Sequence, residues 1–218
     1  MKSFRSPLAL LLLVLLPLGL GGCLFDNPLT GWSSTNIDTR LLGVFEFKEA
    51  DPNAPKNPPP PDPTKPVVDT SIIHRVAVLP LDANRYVIYY RDFSKKPKQV
   101  WKFTGWISRV DARYYLTVRD DTEGSKTFGK YGFFRFDWEF PGNFLLYAPE
   151  MKDVDATASS YHLRTAVRKK LKEGTLFPFE ATWWRKIARV WWDPTGAEAG
   201  ASIPPEFEKG TTEENPGF

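Results

Sequence analysis

The chain holds one thiol, Cys23, a sulfur nucleophile standing directly behind Leu20-Gly21-Gly22. The other residue types able to do chemistry are scattered. His74 and His162 could serve as general base or metal ligand, but His74 opens a strand and His162 sits in a first helical turn. Neither belongs to a His-x-Glu-x-x-His run or a close His pair, and no Gly-x-Ser-x-Gly occurs. Both are read as structural. Paired carboxylates can hydrolyse a glycoside, yet Asp137 and Glu139 lie two apart on the polar face of a strand, and Asp120-Asp121 sits in a turn. Gly19-Leu20-Gly21-Gly22 belongs to an N-terminal signal and does not make a phosphate loop. No cofactor is implied, and the reading is of a protein that is not an enzyme.

What precedes Cys23 has the order of an export signal. Lys2 and Arg5 give a positive start, Leu8 to Leu18 is almost unbroken Leu, Ala and Val, and small residues follow. Three other readings compete: a signal anchor, an ordinary secretory signal with a stray cysteine, and a core cysteine. Pro17, Gly19, Gly21 and Gly22 leave the apolar run short of the ~20 residues that span a bilayer. Leu20-Gly21-Gly22-Cys23 resembles the lipobox of bacterial lipoproteins, with glycine where alanine or serine is usual at −2. The resemblance implies cleavage before Cys23 and a diacylglyceryl group on its sulfur. Leu24, where an aspartate marks retention in the inner membrane of many bacteria, then points to the outer membrane. A lipidated Cys23 leaves no thiol for disulfides, metal or catalysis.

Loss of residues 1–22 takes Lys2 and Arg5 from the 29 Lys and Arg, leaving 27 against 26 Asp and Glu. A near-neutral chain gives no support for nucleic-acid binding. Two surface features remain. Arg164, Arg168, Lys169, Lys170 and Lys172 form a basic run, either a solvated helix face or a surface meeting lipid headgroups or acidic envelope polymer. The pairs Trp183-Trp184 and Trp191-Trp192 place one member on each side of a strand. Trp184 and Trp192 are taken as outer members that could stack on sugar or contact a partner, against the plainer reading of packing.

The elements that position these residues follow from periodicity. Residues 23–40 are mixed and polar and read as a lipidated tether, with ~55 Å of reach at ~3.3 Å per residue. Leu41 to Glu49 reads as a first strand. Asp51 to Pro66 holds eight prolines in sixteen residues. Such a segment favours polyproline II and cannot pair inside a sheet; it is a spacer or a docking motif for a polyproline-binding partner. Short strands follow to Tyr147. Trp101, Phe103, Gly105 and Ile107 alternate with Lys102, Thr104, Trp106 and Ser108; Tyr114, Leu116 and Val118 alternate with Tyr115, Thr117 and Arg119; and Phe134, Phe136, Trp138 and Phe140 alternate with Arg135, Asp137 and Glu139. Phe136 and Trp138 are assigned to the core. Leu163, Val167 and Leu171 at i, i+4 and i+8, with Ser159 or Ser160 as cap and Gly174 as C′ residue, predict one amphipathic helix. Two extended pieces follow, Thr175–Thr182 and Trp183–Asp193. Residues 194–218, with five glutamates against one lysine, read as disordered.

The expectation is a mainly β domain over residues 41–193, a single antiparallel sheet or small barrel of about eight strands with one C-terminal amphipathic helix. This element order resembles lipocalins, whose first strand carries Gly-x-Trp; here Gly43-Val44-Phe45 stands in that place. Three functions remain: a non-enzymatic envelope lipoprotein that binds or scaffolds, with the membrane and an envelope polymer or protein as partners; a lipocalin-like carrier of an apolar ligand; and an envelope glycan hydrolase.

Overall fold

The computed structural model describes residues 24–31, 35–50, 71–94, 99–139, 142–192 and 202–209. Cys23, the Pro-rich insert 51–66 and Phe140 lie outside the described residues. The strands are β1 (Gly43–Glu49), β2 (Ile72–Pro80), β3 (Arg85–Asp92), β4 (Val100–Val110), β5 (Arg113–Asp120), β6 (Tyr131–Glu139), β7 (Asn143–Tyr147) and β8 (Thr182–Arg189). Each pairs antiparallel with its chain neighbour and β8 returns to β1, so the sheet closes into an eight-stranded barrel rather than lying open. Among the described residues, 175–192 give one strand, not two. Closure needs a glycine at Gly43. Its φ is +147°, and a Cβ there would stand 2.4 Å from the Ala188 carbonyl oxygen of β8.

Alternation decides what fills the barrel. Phe45, Val78, Tyr86, Ile88, Phe103, Ile107, Val118, Phe144 and Trp184 form one buried cluster, with Phe134, Phe136 and Trp138 packed against it. Aromatic rings dominate the contacts: Phe45 meets Phe144 edge-on at 4.8 Å, and Phe144 stacks on Trp184 at 6.2 Å. Gly105 marks how tight this packing is, since a Cβ there would stand 2.6 Å from the end of Ile88. The outer face carries Arg75, Arg91, Arg119 and Arg135. Aromatic and aliphatic side chains fill most of the interior. Among the described residues no helix is long and apolar enough to cross a membrane.

The helix, α1 (Ser160–Glu173), forms as its pattern predicts. The Ser159 side chain accepts from the His162 N–H, and Gly174 ends it at φ +70°. Leu163 and Val167 pack with Tyr115 and Phe133 on the outside of the barrel. Arg168 then ties the helix to Asp111 of the β4–β5 turn at 2.9 Å.

Two segments read as free are part of the body. In the supposed tether, Phe25 and Leu29 are each 1% exposed and pack with the helix and Phe133. Phe25 exchanges two backbone hydrogen bonds with Tyr131, each 2.9 Å. It fills the place beside β6 that β7 leaves open, because the β6–β7 ladder starts only at Arg135↔Tyr147. The segment lacks an apolar period because it is pinned by isolated anchors. The tail likewise contributes residues 202–209: Phe207 is fully buried against Val44 and Ala77. Arg75, held by Glu46 at 2.9 Å, also donates to the carbonyl of Glu206 at 2.7 Å.

The barrel has two unlike ends. The insert end carries the β1–β2, β3–β4, β5–β6 and β7–β8 connections. The turn end carries the tight β2–β3, β4–β5 and β6–β7 turns and is crossed by the approach to β1. There a 3₁₀ turn at Thr39–Leu41 leads into Leu42, and Ile37, Leu41 and Leu42 join the interior cluster. Lys186 Nζ of β8 fastens this plug by donating to the carbonyls of Arg40 (2.5 Å) and Leu42 (3.0 Å).

Candidate functional site

The turn end is not fully closed. The β5–β6 ladder stops at Tyr115↔Arg135, whereas β6 continues to Glu139 paired only with β7. Where the strands part, a cleft of about 760 Å³ opens between the N-terminal approach, the β4–β5 hairpin and the end of β6. Ile107, Phe136 and Trp138 line its apolar side, Tyr114 its rim. The Arg40 guanidinium stands 4.7 Å over the Trp138 ring, a cation–π contact. Asp38 fixes that arginine through two bonds, 3.0 Å to Nε and 2.6 Å to Nη2. Arg135, paired with Asp137 at 2.5 Å, and Arg113 complete the polar lining. Arg113 has no ion pair among the described residues, so three arginines face two aspartates with one cation uncompensated.

Comparisons with protein-family models, with curated proteins and with solved structures find no match.

The arrangement of the cleft suits binding. Its planar aromatic floor takes an apolar body, and Arg113 offers an open charge-assisted donor to an anion. Alternation correctly turned Phe136 and Trp138 inward, but both are only half-buried and line the cleft. They are therefore not purely core residues.

The tryptophan assignment is reversed. Trp184 is 1% exposed, its indole donating to Thr182 Oγ1 at 2.9 Å, and Trp192 packs against the interior cluster. The outer members are Trp183, 45% exposed, and Trp191, 89% exposed. The basic run of α1 is partly paired. Arg164 donates to the Leu29 carbonyl at 3.3 Å, Arg168 pairs with Asp111, Lys170 with Asp153 at 2.8 Å and Lys169 with Glu173 at 4.0 Å; Lys172 is exposed. Of the carboxylates, Asp137 holds Arg135, Glu139 accepts from the Trp183 indole at 2.9 Å, and Asp121 holds Arg119 at 2.7 Å.

A second polar group lies inside the barrel toward the insert end. His74 Nδ1 is 2.8 Å from the Tyr90 hydroxyl, and Nε2 is 3.5 Å from Glu49. Burial, reinforced by Asp92, pushes the Glu49 carboxyl above its ordinary range, and burial likewise raises Tyr90. Glu49, His74, Tyr90 and Asp92 are each at most 6% exposed, which suits a polar layer of the core rather than a substrate site. Sequence reasoning missed Asp38, Arg40 and Arg113. Their only signal was position beside strand ends.

Proposed function

We propose that this chain is a bacterial envelope lipoprotein, cut before Cys23, held in the outer membrane by lipid on that residue, and acting by binding. The ligand class is a molecule with a flat apolar portion and one negative group. The observation that carries the binding reading is the parted β5–β6 edge, where Trp138 under Arg40 forms the floor and Arg113 stands unpaired. A saturable probe of that chemistry, 1-anilinonaphthalene-8-sulfonate, tests it. Fluorescence titration should give one site per chain, weakened about tenfold or more by Arg113→Ala, in line with the ~1.5–3 kcal/mol of a charge-assisted hydrogen bond, and weakened also by Trp138→Ala through loss of the stacking floor. Equal affinity in all three proteins rejects the cleft. Cys23→Ser tests the anchor: membrane retention of that variant at normal mature mass rejects it.

The lipocalin-like reading has its own support, an eight-stranded up-and-down barrel with the helix packed outside. It puts an apolar ligand within the barrel. The tight contact of Gly105 with Ile88 argues for a filled interior and so favours the cleft.

A further inference from the structure

The N-terminal segment leaves the folded body at one defined place. Phe25 is bonded to Tyr131 in both directions, its ring stacks on Phe133 at 6.3 Å, Asp26 pairs with Lys130, and the Asp26 N–H donates to Ala156 at 2.8 Å. Leu24 rests over Gly132. Cys23 is joined to Leu24 by one peptide bond, ~3.8 Å between Cα atoms. Nothing like the tether's reach remains between the lipid-bearing residue and the barrel.

What surrounds that exit is the insert end, and its nearest loop is unusual. Asp120, fully buried, accepts from the Thr122 N–H (2.8 Å), Ser125 Oγ (2.7 Å) and Thr127 Oγ1 (2.6 Å), and the Gly129 N–H donates to its carbonyl at 2.7 Å. This ordered β5–β6 loop nevertheless holds Phe128 59% exposed. Tyr161, 64% exposed, stands in the first turn of α1, whose lead-in loop bonds to Asp26 and Asn27. Two large rings therefore project from rigid supports beside the exit. Among the described residues beside the exit, charge is mixed: Lys126 and Lys130 sit among Asp26, Glu123 and Asp155.

From this geometry we propose that the barrel sits directly on the bilayer with its insert end down, Phe128 and Tyr161 entering the headgroup boundary. The inference rests on the lipid-anchor reading. Rings of this kind bury apolar area at such a boundary while the polar loop stays wet. The aromatic cleft then faces away from the membrane. With β4 at eleven residues, ~3.3 Å rise and ~40° of strand tilt, it stands roughly 25–30 Å above the insert end.

A lipidated Cys23 leaves the protein without a thiol, so an introduced cysteine labels alone. Full mature protein, purified from membranes and reconstituted in phosphatidylethanolamine–phosphatidylglycerol vesicles, would carry nitrobenzoxadiazole at Lys126→Cys or at Ala83→Cys of the β2–β3 turn. Nitroxide lipids should quench the label at 126 several-fold more than at 83. Adding Phe128→Ser should reduce that difference, with near-ultraviolet circular dichroism unchanged. Mass spectrometry of the N-terminus separates the two readings. Lipid on Cys23 with equal quenching at both sites overturns the seating and leaves the anchor; absence of lipid overturns both.

Discussion

Lys186 Nζ lies 4.9 Å above the ring of Phe45 while donating to two main-chain carbonyls of the plug. The last strand thereby locks the approach to the first. Burial, with Arg189 nearby, lowers the Lys186 pKa, yet the ring and carbonyls reward the cation. Lys186→Met should lose ~1–3 kcal/mol by leaving both carbonyls without this donor. Urea denaturation measures it, and a midpoint equal to wild type would show the plug to be held otherwise.

The tryptophan pairs separate cleanly. Trp184→Ala should cost ~3–5 kcal/mol, a cavity-sized penalty. Trp183→Ala and Trp191→Ala should each cost under ~1 kcal/mol. Chemical denaturation of the three variants checks the order, and a larger loss at Trp183 than at Trp184 would invert the assignment.

The segment before β1 offers the third test. Phe25→Ala and Leu29→Ala should each destabilise the body by ~2–5 kcal/mol, because both side chains are 1% exposed among Met151, Leu163 and Leu176. A flexible tether would tolerate either change without a shift in the unfolding midpoint.

Two carboxyls should give opposite pH signatures. Burial pushes Asp120 up, but bonds from Thr127, Ser125 and Thr122 outweigh it and hold the group below its ordinary range. Its contribution is present above the unfolded value and is lost as pH falls through the folded one. Asp120→Asn should therefore cost ~1–3 kcal/mol at neutral pH, with the gap closing in acid. Glu49, raised by burial and Asp92, penalises the fold as pH rises from the ordinary glutamate range through its elevated value. Glu49→Gln should gain relative to wild type from pH 4 to neutrality. Melting curves across pH decide both.

Much of the barrel was legible because period two survives burial. Phe103, Ile107, Leu116 and Val118 turn inward as their alternation requires, and Ser159 and Gly174 bound the helix by local chemistry alone. The parity of Trp183 and Trp184 was not legible. It depends on which residues of β1 and β7 face β8, and the β1–β8 register slips between Val44 and Phe45. Phe25, Leu29 and Phe207 escaped for another reason: each is a single apolar anchor whose partners lie far off in sequence. The cleft exists only because one ladder ends before its neighbour, which no local pattern encodes.

Closure of the sheet also bears on self-association. An open sheet presents a row of main-chain donors and acceptors to any neighbouring copy, and crowding in a membrane plane would favour edge-to-edge aggregation. Here β8 pairs with Gly43–Glu46 of β1 and closes the sheet. Along the described strands, the β5-facing side of Phe136–Glu139 is a short gap where the β5–β6 ladder has ended. It spans four residues, and Asp137 on it is tied to Arg135 at 2.5 Å, so it offers little free ladder to a second copy. The same interruption that opens the cleft is thus too short to seed a fibril.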